Sequence, residues 1–266
     1  MSSRLSVYID GIGLIAPGLN DWPSARQVLA GLQPYHSAKT VIPTPELLPA
    51  AERRRASDIV KLTLATSLEA MSQAGVEGKS LPSVFSFSNG DGVNCHSICE
   101  MLASEDREIS PTRFHNSVHN AAAGYWSIAT KTMATSSVLC AFDASFGAGL
   151  LDAITQVVIE DTPCILIASD TPYPEPMFTK RPIPDNSSIA LVLMAQKSTR
   201  SIAQITVSVT DEPAYQFDAA ALENLRTAIP SMRSLPLLQL IARHDSGHVM
   251  LDYLDGLRLA VEVDPC

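Results

Sequence analysis

The sequence is poor in basic residues, in paired cysteines and in long apolar runs. Of its 266 residues, 19 are Lys or Arg and 28 are Asp or Glu, which gives a formal net charge of -9. That balance excludes a broad basic footprint for nucleic acid or an anionic membrane surface. One basic cluster exists, Glu52-Arg53-Arg54-Arg55. It reads as the solvated start of a helix, with docking of an acidic carrier protein as the alternative. The five cysteines, Cys95, Cys99, Cys140, Cys164 and Cys266, are odd in number and irregular in spacing. They make no disulfide framework, and this usage suits a reducing cytoplasm. Cys140 and Cys164 fall in apolar strand-like runs, where a thiol behaves as a small hydrophobe. Cys95 and Cys99 share a helical face beside His96, but no second ligand pair stands at a suitable spacing, so no metal site is expected. No run approaches the roughly 18 uninterrupted apolar residues of a membrane span. The N-terminus lacks the charged-then-apolar pattern of a signal peptide. Fixed-period repeats and low-complexity segments are also missing. The expectation is a soluble cytoplasmic protein.

Hydrophobic residues make up 46% of the chain and charged residues 18%, enough for a sizeable core. "LSVYIDGIGLIAPG" (5–18) reads as a buried strand ending in a turn at Pro17-Gly18. A helix follows, with Asp21 as its N-cap and Pro23 in its first turn. Residues 32–50 are proline-rich and aperiodic, hence loop. The clearest helical pattern is "ASDIVKLTLATSLEAMSQAGV" (56–76), whose apolar positions cover more than a narrow stripe, as in a helix packed between layers. "SVFSFSNG" (83–90) alternates as a strand, and 94–104 looks helical. In the segment 112–132 the small residues Ala121, Ala122, Ala123 and Gly124 permit close helix packing. "SSVLCAF" and "PCILIASD" read as strands, the second buried on both faces. A proline-rich loop (171–186), the strands "SSIALVLMA" and "RSIAQITVSVT", a short helix near 218–228 and a closing segment "GHVMLDYLDGLRLAVEV" complete the chain. Alternating strands and helices predict a layered α/β domain.

The stretch "VLCAFDASFGAGLLDAI" (138–154) reads as a buried strand, a sharp elbow and a helix. Catalytic nucleophiles are often carried on such elbows. Here the elbow carries Asp143, Ala144 and Ser145, while Cys140 lies about 10 Å back along the strand. The G-x-S-x-G elbow of hydrolases is absent.

Six segments in one order carry a resemblance: "VYIDGIGLIAPG", "ARQVLAG", "DIVKLTLATSLEAMSQAGV", "VFSFSNGDG", "SVHNAAAGYWSI" and "VLCAFDASFGAGLLDAI". Together the chain resembles the N-terminal half of a beta-ketoacyl synthase, a condensing enzyme of the thiolase fold. The resemblance implies a thiolase-like α-β-α layered fold, truncated relative to a full condensing enzyme. Residues 1–210 would form the beta-ketoacyl synthase-like N-terminal domain, and 211–266 a short C-terminal completion of the same fold.

Two departures bear on function. Ungapped alignment puts Asp143 where the family carries its nucleophilic cysteine, or Ala144 after a one-residue slip; neither is a thiol that can attack a thioester. The family's two catalytic histidines lie in its second half, and His244 and His248 here stand outside their glycine-rich contexts, as surface residues. No catalytic residue is therefore assigned, and neither a metal nor a cofactor is implied.

The chain is similar in length and in its degenerate elbow to the short chain length factor of aryl polyene and flexirubin pathways. Such a subunit pairs with a complete beta-ketoacyl synthase in polyketide or fatty-acid-type biosynthesis and shapes its acyl tunnel. The implied tunnel or interface residues are Phe114, His115, Asn116, Ser117, His119, Asn120, Phe142 and Phe146. His115 and His119 would share one helical face, and Asp143 would cap the helix after it. An acyl carrier protein would reach the pair mainly through the partner, because two acidic proteins repel. The alternatives are a malonyl-carrier-protein decarboxylase using Asp143 and an acyl-carrier-protein binding module.

Overall fold

In the computed structural model, which describes residues 4–266, the alternating segments form one eight-stranded sheet between two helical layers. The strands are β1 (Leu5–Ile15), β2 (Ser83–Phe87), β3 (Ser136–Cys140), β4 (Cys164–Asp170), β5 (Ser187–Met194), β6 (Ala203–Thr210), β7 (Gly247–Asp252) and β8 (Arg258–Pro265). The helices are α1 (Trp22–Leu29), α2 (Ala50–Arg55), α3 (Asp58–Ala74), α4 (Gly92–Ala103) and α5 (Pro111–His115). They continue as α6 (Ala121–Thr130), α7 (Ser145–Glu160), α8 (Met177–Lys180), α9 (Ala220–Ala228) and α10 (Leu235–Arg243). The sheet order is β3-β2-β4-β5-β1-β6-β8-β7, with β2 parallel to both β3 and β4 and every other pair antiparallel.

Strand alternation sorts the core into two halves. Ile165 and Ile167 of β4 join Ile59 and Leu64 of α3 and Trp126 of α6 on one face. Leu166 and Ala168 join Leu150 and Ile154 of α7 and Leu238 of α10 on the other. With both faces covered, β4 is buried at every residue, which is why its sequence is an unbroken apolar run.

Helix α3 lies directly on β1, and two glycines permit it. A Cβ at Gly11 would stand 2.0 Å from the Ala70 carbonyl oxygen, and one at Gly13 2.0 Å from that of Thr66. Pairing of β1 with β6 stops at Ile9, so the amides of Ile12 and Leu14 need other partners. They donate to Gln73 Oε1 at 2.8 Å and Glu69 Oε2 at 3.0 Å, and the Trp22 amide donates to Glu69 Oε1 at 2.7 Å. Burial pushes the Glu69 carboxyl above its usual range, against the pull of those two amides.

Asp21 caps α1 as expected, accepting from the Ser24 amide at 2.7 Å. Other expectations change. The run Arg53–Arg55 is the last turn of α2, where cations complement the helix dipole, and not a helix start. Strand β3 is not buried: it is a sheet edge, half exposed along its length, with Cys140 exposed. The segment 111–130 is broken between α5 and α6, and a Cβ on Gly124 would meet open space, so that glycine mediates no close packing. The loop 171–186 contains α8, and a second C-terminal helix, α10, precedes the β7–β8 hairpin that extends the sheet beyond β6. By length and mean hydropathy the segment Phe142–Glu160 is apolar enough to cross a membrane, yet half of it is buried in this fold as the core helix α7.

Gly13→Ala is expected to cost about 2–3 kcal/mol or to prevent folding, because the opposing atom is backbone and cannot swing away. Urea unfolding of the purified variant measures it.

Candidate functional site

Strand β3 ends at Cys140 and the chain turns sharply. Phe142 has a left-handed φ of 53°, residues Phe142–Ala144 form a 3-10 turn, and α7 begins at Ser145. A non-glycine residue in that region is strained and must be held by its surroundings. Ser145 provides part of the hold. Its buried Oγ accepts from the Ala141 amide at 3.1 Å and lies 2.7 Å from the carbonyls of Phe87 and Phe142. One hydroxyl proton serves those two acceptors, so Ser145 is committed to the turn and is not a free nucleophile.

Asp143 is not the helix cap. The N-cap of α7 is Ala144, which makes no side-chain cap bond. The Asp143 carboxylate is bound instead by two arginines. Oδ1 pairs with Arg181 at 2.6 Å and Oδ2 with Arg233 at 3.1 Å. The Arg181 guanidinium also lies 3.5 Å above the centroid of the Phe142 ring. Arg233 reaches Asp252 at 3.5 Å, and Asp252 is paired with Arg226, which in turn grips Glu223 at 2.6 Å. A continuous ladder of alternating charge thus runs from the elbow through the turn Pro230–Ser234 and β7 to α9. Beside it, the buried Asp170 accepts from the amides of Ser88 at 3.0 Å and Ser231 at 2.7 Å, joining the ends of β2 and β4 to that turn.

Neither Cys140 nor Cys164 replaces a nucleophile, and Cys164 stands at the far end of β4 from the elbow. Although Cys140 lies on the exposed edge, desolvation by neighbouring atoms and then the charge of Asp170 raise its pKa above its usual value and so deplete its thiolate at neutral pH. Cys164 is pushed up to about 12 by burial and by Asp152.

The remaining candidate residues fall in three places. Phe142 sits at the elbow, 61% exposed. Phe146, read as a wall residue, is fully enclosed in the α7 side of the core, where it packs the layers together. Phe114 is 67% exposed at the end of α5. His115 and His119 do not share a helical face, because α5 stops at His115 and the chain turns through 116–120. Ser117, His119 and Asn120 are exposed, while Asn116 is buried and hydrogen-bonded to the Arg55 carbonyl and to Tyr125. Ala144 is buried beneath the turn, and His244 and His248 are exposed. Among the described residues no cluster of three His, Cys, Asp or Glu side chains is arranged to hold a metal.

Arg181, Arg233, Arg226 and Asp252 were not singled out by the sequence. The first two stand in "TKRPIPDN" and "SMRSLP", aperiodic stretches with no motif. Their only signal is charge inside apolar, proline-bearing surroundings.

Residues 22–252 match the sequence profile of the beta-ketoacyl synthase N-terminal domain. The chain belongs to that family. No curated protein sequence matches it significantly. Among solved structures, it resembles the ketosynthase ApeO in complex with its chain length factor ApeC from Xenorhabdus doucetiae. There the TM-score is 0.73 at 21% identity, over 97% of this chain and 99% of the matched one. The ishigamide ketosynthase/chain length factor gives a TM-score of 0.72 at 13% identity, over 98% and 99%. A beta-ketoacyl synthase from Burkholderia phymatum gives 0.60 at 14% identity, over 91% of this chain but 71% of that one. The thiolase-like layered fold therefore extends over the whole of this beta-ketoacyl synthase family member. At its elbow a carboxylate is fixed by two cations.

Arg226 lowers the Glu223 carboxyl below its usual 4.5, chiefly through their hydrogen bond. A depressed carboxylate stabilises the fold fully above pH 4.5, and that contribution is lost as pH falls through the folded value. Arg226→Leu strands the part-buried Glu223 and leaves Asp252 to Arg233 alone, and is expected to cost about 3 kcal/mol at neutral pH. Urea midpoints measured from neutral to acid pH are expected to fall below pH 4.5 in the natural protein and to fall less in the variant.

Proposed function

We propose that this chain is a non-catalytic ketosynthase-like subunit, a chain length factor, that heterodimerises with a complete beta-ketoacyl synthase and shapes its acyl tunnel. The observation that carries this reading is the state of the elbow. Asp143, which an ungapped reading of the sequence sets at the nucleophile's position, has both carboxylate oxygens in ion pairs. A carboxylate held on both oxygens by cations is not free to act as an acyl acceptor, which also weighs against a decarboxylase built on Asp143.

The exposed surface supports a partner. Strand β3 is paired on one side alone, and Phe142 protrudes beside its end. Phe114, Val118, Ile128 and Met133 are exposed on the segments leading into it. An unpaired edge next to exposed apolar side chains is an association surface. The near-complete mutual coverage with a chain from a ketosynthase and chain length factor complex agrees with a short companion subunit. The acyl carrier protein reaches the pair mainly through the partner, since this chain carries a net charge of -9. A cytoplasmic setting goes with this reading, as the five cysteines are free thiols.

Native mass spectrometry of this chain, co-expressed with a complete condensing enzyme encoded beside it, is expected to show a one-to-one heterodimer. Condensation should require both chains. A homodimer that ignores the partner overturns the proposal. In the active pair, Phe142→Ala is expected to shift products toward longer acyl chains, read by mass spectrometry of the released products; unchanged lengths would remove Phe142 from the tunnel wall.

A further inference from the structure

The basic run at the end of α2 is not used by the elbow, and its three arginines part company. Arg53 turns inward, donating to the carbonyls of Glu46 at 3.2 Å and Leu48 at 3.1 Å. Arg54 and Arg55 border an open cavity of about 640 Å³, and Arg113 of α5 borders it as well. That volume is in the range of small-molecule sites.

Two buried amides hold the backbone that carries these arginines. Asn94, 8% exposed, donates from Nδ2 to the Arg113 carbonyl at 2.8 Å. Asn116, 7% exposed, donates to the Arg55 carbonyl at 3.3 Å, and its own Oδ1 accepts from the Tyr125 hydroxyl at 3.3 Å. The walls are thus fixed at their base by satisfied polar groups while the guanidinium heads stay exposed.

Charge in the cavity is only partly balanced. Asp58 and Asp91 also line it, but Asp58 pairs with Lys61 at 2.9 Å and Asp91 caps α4 through the Asn94 amide at 2.9 Å. Arg55 has a long pair with Glu52 at 3.5 Å. Among the described residues, Arg54 and Arg113 have no carboxylate within ion-pair distance. On a chain of net charge -9, two uncompensated guanidinium groups facing one cavity make a local attractor for an anion. The hydroxyls of Ser57 and Thr112 add donors, and Ile59, Val93 and Pro172 add an apolar wall.

We propose that this cavity binds a phosphate-bearing amphiphile, with its phosphate between Arg54 and Arg113 and its apolar part against Val93 and Pro172. A phosphate offers acceptor oxygens in several directions and so engages guanidinium groups arriving from two helices, which a planar carboxylate does less well. This site goes beyond the proposed role in chain length and stands or falls without it.

The test is calorimetric titration of the full chain with octyl phosphate, inorganic phosphate and octanoate. Octyl phosphate is expected to bind saturably at one site and to weaken as salt rises from about 0.05 to about 0.5 M. Inorganic phosphate, lacking the tail, and octanoate, lacking the phosphate, should each bind at least about tenfold more weakly. R54Q/R113Q should lose about tenfold or more, while K79Q, which removes a charge elsewhere, should lose nothing. Amide shifts in the natural protein, which need no variant, should centre on residues 54–59, 91–94 and 110–116. Absent saturation, shifts elsewhere, equal binding by R54Q/R113Q, or octanoate binding as tightly as octyl phosphate would each overturn the proposal.

Discussion

At the head of α7 one carboxylate meets two guanidinium groups that reach it from distant parts of the chain, and the packing of the C-terminal segment depends on that meeting. Charges half removed from water are costly unless paired and hydrogen-bonded. Asp143 is paired on both oxygens and also stands near the positive end of a 16-residue helix. Each arginine in turn anchors a different loop, Arg181 the segment that follows β4 and Arg233 the turn before α10. Asp252 and Arg226 extend the same compensation to β7 and α9. The strained turn at Phe142 is stabilised from above by the Arg181 guanidinium and from below by Ser145. The elbow serves here as a structural junction.

The sequence made the layered fold legible because its signals are local. The α3 pattern, the Asp21 cap and the unbroken β4 run each leave a mark within a few residues. The elbow was legible for the same reason. Its chemistry was not, because the partners of Asp143 lie 38 residues away at Arg181 and farther still at Arg233. A short-range rule assigned it a cap, and two cations outcompeted the helix amides. Strand β3 was misread by a related failure. "SSVLCAF" has much the same composition as a central strand, but burial depends on position in the sheet, and strand order is set by long-range pairing. The shared helical face of His115 and His119 failed because the chain turns after α5, where buried Asn116 bonds to backbone and to Tyr125 instead of continuing the helix.

Similarity to solved structures at 21% identity and below extends over nearly the whole of this fold, and function does not follow from fold alone. In this chain the backbone shape rests on the close approach of α3 to β1 and on the sharp turn into α7.

The two ends of the sheet differ in kind. Strand β7 ends one side with the polar residues His248 and Asp252 in it, while β3 ends the other beside exposed aromatic and aliphatic groups. A surface of that sort links folding to concentration. Whatever binds it only in the folded state adds stability by mass action, about 2.7 kcal/mol when present at a hundred times its dissociation constant. Copies made in excess of their binding partner lack that increment, open more often and are removed first by cellular proteases. An edge of that kind ties the stability of the chain to the concentration of whatever covers it.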